Sequence, residues 1–142
     1  MVELLAAMVI LIVLASVALE VGRVRVIRAR ESELRRDLRQ MREAIDQYKR
    51  YSDAGMFSKK VDTFGYPSDL NTLVEGEPWS ILHFKYKLLR RIPVDPMTGT
   101  KDWGLRSMQD DPDSQGWGGQ NVFDVYSKSD RTALDGTRYS DW

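Results

Sequence analysis

From Leu4 to Leu19 the chain is apolar at every position but Ser16, and one acid, Glu3, stands directly in front of this run. From Gly22 to Arg50 there is no proline, and Arg, Glu, Leu, Ala and Gln, all good helix formers, dominate. The pattern predicts one uninterrupted helix over roughly the first fifty residues, about 70 Å long at its ordinary rise. That is far more rod than a compact domain of this size needs. Its first half is lipid-soluble and its second half amphipathic, so it is expected to occupy two environments. The chain then divides into an apolar helical segment over 1–22, an amphipathic continuation over 23–55 and a globular head over 56–142.

In the second segment Leu34, Leu38, Met41, Ile45 and Tyr48 fall at spacings of four, three, four and three, one apolar stripe on a charged helix. Such a stripe either seats the head on the helix or forms a coiled coil with a partner. Ser52, Asp53 and Gly55 are expected to end the helix, with Gly55 as its C-cap. Residues 56–67 read as a loop anchored by Phe57, Phe64 and Tyr66. Ser68 to Val74 reads as a short helix capped by Ser68, burying Leu70, Leu73 and Val74 and stopping at Gly76. Trp79 to Leu89 is compatible with a second short helix or an extended segment. Pro93 and Pro96 fix φ and force a stiff extended connector. Asp102–Met108 and Val122–Ser127 read as an antiparallel strand pair joined by the polar loop Gln109–Asn121. The expected fold class is α+β: a long N-terminal helix packed against a small antiparallel sheet, with a C-terminal loop.

Composition narrows the functions. Of 142 residues, roughly 90 remain for a head once the apolar rod is set aside, enough for a modest core. Lys+Arg 21 against Asp+Glu 21 leaves no net charge, so nothing argues for a nucleic-acid partner. No cysteine means no disulfide, and a head outside the cytoplasm would need another staple, usually a metal. The single histidine, His83, removes most metal–histidine and Ser-His-Asp chemistry and reads as an ordinary surface or core residue. No catalytic set can be assembled, so an enzyme is not expected.

The N-terminal run lacks the basic n-region of a signal peptide, since no positive side chain precedes Arg23. A head of this size could not cover it, which leaves a membrane span or a helix bundle. The run is a little shorter than the ~20 residues a span normally uses, and Val21, Val24 and Val26 extend its apolar face. Glu3 is either a functional intramembrane acid or a side chain reaching to the headgroups.

Val2-Glu3-Leu4-Leu5, followed by an Ala/Val/Ile/Leu run ending near Ala15-Ser16, resembles the N-terminal signature of type IV pilins and type II secretion pseudopilins. Matching Glu3 to the family's glutamate places Met1 at the third mature residue. The leader, its glycine and two residues, together with processing and N-methylation, are then expected to lie outside this sequence. The resemblance implies that Glu3, with Met1, Leu4 and Leu5 around it, docks against a neighbouring subunit, its carboxylate meeting that subunit's terminal amine. Tyr66-Pro67 with Leu70 and Leu73, then Leu88-Leu89-Arg90-Arg91-Ile92-Pro93-Val94-Asp95-Pro96-Met97-Thr98-Gly99, is similar to a block of the major pseudopilin of the type II secretion system. The implied function is a structural subunit that polymerises through its apolar helix into a helical pseudopilus. Its partners are copies of itself, other pseudopilins and an inner-membrane assembly platform. Its place is the inner membrane, as a single-pass protein, and then the periplasm or an extracellular filament. The other readings are a surface type IV pilus subunit and a bitopic membrane protein whose stripe forms a coiled coil.

Arg23, Arg25, Arg28 and Arg30 form a basic cluster just past the apolar run, which positive-inside reasoning alone would place in the cytoplasm. The resemblance puts the head on the opposite side and is followed here. Two segments bear on calcium. Asp111-Pro112-Asp113-Ser114-Gln115-Gly116 begins like a calcium loop, but Val122 stands where the bidentate glutamate belongs. In the tail, Asp130 and Asp135 offer carboxylates on irregular backbone, and Gly136 permits a sharp bend. By itself such a loop reads as a solvated surface turn more readily than as a metal site. The resemblance implies a calcium site here, with Ser127, Lys128 and Ser129 contributing alongside the two acids.

Overall fold

The structure is a computed structural model that describes residues 1–58, 61–79 and 84–142, with the backbone alone at 17–19. Helix α1, Val2–Asp53, runs for 52 residues without a break. Its end is a Schellman motif built on Gly55 at φ +75°: Met56 N–H reaches the Tyr51 carbonyl at 2.9 Å and Gly55 N–H that of Ser52 at 3.1 Å. The expected stop is therefore observed.

The head packs on the C-terminal half of this rod. Leu34, Leu38, Met41, Ile45 and Tyr48 are all between 0 and 6% exposed, so the stripe is the spine of the core. A coiled coil through the same stripe is ruled out while the head is in place, because those side chains are already covered. Tyr48, Tyr51, Phe57, Trp79 and Tyr86 interleave edge-on or tilted at centroid distances from 5.0 to 6.1 Å, closing the far end of the core.

Helix α2 spans Leu70–Glu75, with Leu70 and Leu73 buried and Gly76 at φ +84° ending it. Its cap is Asp69, not Ser68: the carboxylate takes the Thr72 N–H at 2.9 Å. Both residue types can cap, and here the Ser68 hydroxyl instead meets the Thr72 hydroxyl at 3.3 Å. Phe57 is buried in the core as expected, whereas Phe64 is 58% exposed at φ +51°. Within the ambiguous segment Lys85–Tyr86 is extended as β2, which pairs antiparallel with β1 (Glu77–Pro78), while residues 80–83 lie outside the described residues. His83 lies outside the described residues.

Strands β3 (Gly104–Arg106) and β4 (Asp124–Tyr126) form a second antiparallel ladder, with Leu105 opposite Val125. The expected pairing is present, but among the described residues the head carries two separate two-stranded ladders and the strands are short. Side chains explain where β3 stops. The Asp110 carboxylate takes the Ser107 N–H at 2.7 Å, and the Asn121 side chain takes that of Met108 at 3.0 Å, so both donors leave the ladder. On one face of the ladder the Tyr126 ring lies across Gly104, where any Cβ would collide with it, and the Arg106 guanidinium sits 4.1 Å from its centroid. The architecture is α+β as expected: one long helix carrying small antiparallel ladders.

Candidate functional site

The two regions singled out by sequence lie on the same helix but meet different surroundings. Met1 is the N-cap residue of α1 and makes no side-chain cap. Glu3 sits in the first turn, where a carboxylate complements the positive end of the helix dipole. Met1, Leu4 and Leu5 are 100, 70 and 64% exposed, and every large apolar side chain from Met1 to Leu14 is at least 55% exposed. The best 18-residue window of the helix has mean hydropathy 2.8, and none of it is buried in the chain. The one interrupting hydroxyl, Ser16, is satisfied locally by donating to the Val13 carbonyl at 2.7 Å. A helix whose backbone is bonded within itself and whose apolar surface is uncovered can cross a membrane or pack into a bundle.

The tail is held by the helix. Glu31 accepts the Leu134 N–H at 2.8 Å and the Tyr139 hydroxyl at 3.0 Å. One turn on, Arg35 pairs with Asp135 at 3.0 Å and lies 4.1 Å from the Trp142 ring centroid. Arg42 donates through Nε to Asp124 at 2.6 Å and through Nη2 to the carbonyls of Val125 at 3.0 Å and Trp142 at 2.6 Å. Within the tail, Gly136 at φ +87° closes a turn in which Ala133 N–H meets the Thr137 carbonyl at 2.8 Å. Trp142 Nε1 then reaches Thr137 Oγ1 at 2.7 Å. Burial pushes the Tyr139 phenol up, with the Glu31 carboxylate adding to the shift. Hydrogen bonds from Thr137, and then Arg35, hold the Asp135 carboxyl below its usual range.

The five residues expected at a calcium site are dispersed among other partners. Ser127 is fully buried and donates to Asp95 Oδ2 at 2.6 Å, while Asp95 Oδ1 takes the Met97 N–H at 2.7 Å. Ser129 is buried too, its N–H bonded to Ser127 Oγ at 3.2 Å. Lys128 reaches out to Asp102 at 2.7 Å. Asp130 is exposed, and Asp135 is engaged by Arg35 and Thr137. Among the described residues no group of three or more Asp, Glu, His or Cys is placed to hold a metal. In this arrangement the Ser127 hydroxyl and the Asp135 carboxylate are engaged within the chain, and Lys128 could offer a cation only its carbonyl oxygen.

Sequence reasoning missed Glu31, Arg35 and Arg42, the helix residues that hold the tail, and also Asp95. A local signal existed for Asp95, because an Asp before proline and two residues from a free N–H is a ready Asx-turn. The other three flank the apolar stripe, and only the fold brings partners about a hundred positions away against them. Comparison of the chain with family models, curated proteins and solved structures finds no match.

Proposed function

We propose that this chain is a structural subunit that leaves a membrane helix-first and polymerises into a helical filament of the pseudopilus kind. One observation carries the reading. A single 52-residue helix is the buried spine of a folded head at one end and wholly uncovered apolar surface at the other. Uncovered apolar area on this scale must be met by lipid or by other chains, because leaving it in water costs about 25 cal/mol per Å². Lipid meets it before assembly and copies of the same helix meet it afterwards, with the inner-membrane platform and other pseudopilins as further partners. Glu3, with Met1, Leu4 and Leu5, is the docking end in this reading. The head is stapled by the seam from Glu31, Arg35 and Arg42 to the tail.

The test is Glu3→Ala in the full chain. The head should melt as in the parent, while filament formation after detergent removal is lost. Normal filaments from the variant would refute the docking role of Glu3.

A further inference from the structure

We propose that Arg23, Arg25, Arg28 and Arg30 form a collar that binds the headgroup phosphates of an anionic bilayer. The inference rests on the reading that the apolar half of α1 enters lipid, and adds which lipid meets its end.

Three observations on the helix support it. All four side chains are exposed, and none takes part in an ion pair among the described residues. The following acids are engaged elsewhere: Glu31 holds the tail at Leu134 and Tyr139, and Glu33 lies 4.0 Å from Arg36. Glu20 is the one acid between the apolar run and the collar, so residues 20–30 carry four positive charges against one negative. At about 100° per residue Arg23 and Arg30 share one side of the helix and Arg25 and Arg28 lie on the opposite side, so the four are not arranged on one face to meet one partner chain.

Position agrees with charge. The stretch from Leu4 to Val21, with Glu20 near its end, is about 27 Å long, close to the roughly 30 Å hydrocarbon thickness of a bilayer. The collar begins two residues later and extends about 10 Å along the axis, against roughly 5–8 Å for one headgroup layer. Val24, Val26 and Ile27 lie between the arginines, so the long side chains can keep their stems on apolar surface while the guanidinium groups stay with phosphate. Basic clusters placed directly beside a membrane helix attract anionic lipid in proportion to their number.

The full chain in mild detergent, offered equimolar phosphatidylglycerol and phosphatidylcholine with matched acyl chains, is read by native mass spectrometry. Vesicle flotation with each lipid runs beside it. The expected result is about tenfold enrichment of bound phosphatidylglycerol. That enrichment should be abolished by R23Q/R25Q/R28Q/R30Q and retained by the four Arg→Lys changes, with the thermal melt of the head unaltered in both. Glycerol phosphate in solution should not displace the lipid. Flotation with both lipids but no enrichment, or enrichment that survives the Gln variant, would overturn the collar and leave the membrane reading standing. Displacement by glycerol phosphate would replace the lipid with a soluble phosphate. Failure to float with either lipid would remove the membrane reading and the collar together.

Discussion

The two halves of α1 have the same backbone and both are rich in aliphatic side chains, yet they differ in what touches them. Leu4, Leu11 and Leu14 are 61 to 70% exposed, whereas Leu34 and Leu38 are 0 and 2% exposed. In the second half the apolar residues keep to one stripe and the opposite face is charged, so a small head suffices to cover them. In the first half they occupy the whole circumference, and no single head could wrap them. Helicity is thus set by the residues locally, and the environment is set by how apolar positions are distributed around the axis.

The largest expected effect separates the halves by stability. Ile45→Ala or Leu38→Ala should destabilise the head by about 2–5 kcal/mol in denaturant titration, while Leu11→Ala leaves the same transition unmoved. Next comes the seam between helix and tail. Arg42→Ala removes the donors to Asp124, Val125 and Trp142 and should cost about 2 kcal/mol, part of the Asp124 charge remaining paired through Arg106 at 3.4 Å.

That seam marks the limit of what could be read from the residues. The stripe at Leu34 to Tyr48, the stop at Gly55, the short helix over Leu70–Glu75 and the β3–β4 pair all follow from local period or turn chemistry. The partners of Glu31, Arg35 and Arg42 do not, because a charge on a helix flank is compatible with solvent or with any opposite charge the fold delivers. The same limit applies to the tail acids. Asp130 and Asp135 have the composition of a cation loop, and the competing cation is Arg35, one hundred residues away in sequence. The cap expected at Ser68 falls instead on its neighbour Asp69.

Smaller effects sharpen the picture. Asp69→Ala should cost about 1 kcal/mol through the lost cap, visible as a lower melting temperature of the head. Calcium removal by a chelator should leave that melting temperature unchanged, and a clear fall would restore a metal to the tail. Two carboxylates make opposite pH predictions. Asp135 has its folded pKa depressed, so the stabilisation it provides is present above its ordinary value of 3.8 and fades as pH falls through the lower folded value. Burial, then Glu33 and Asp95, push the Asp37 carboxyl up against a lowering effect of Arg36. Its charged form is therefore a penalty at neutral pH, relieved as pH falls through the raised folded value. Asp37→Asn should raise the melting temperature by roughly 2 °C at pH 7, with the gain vanishing in acid.

The account turns on what finally covers Leu4 to Leu19, and electron microscopy of the full chain after detergent is withdrawn addresses that directly. It predicts filaments in which this segment lies at the axis with the heads outside. Dispersed single particles that keep the segment in lipid under the same conditions would contradict it.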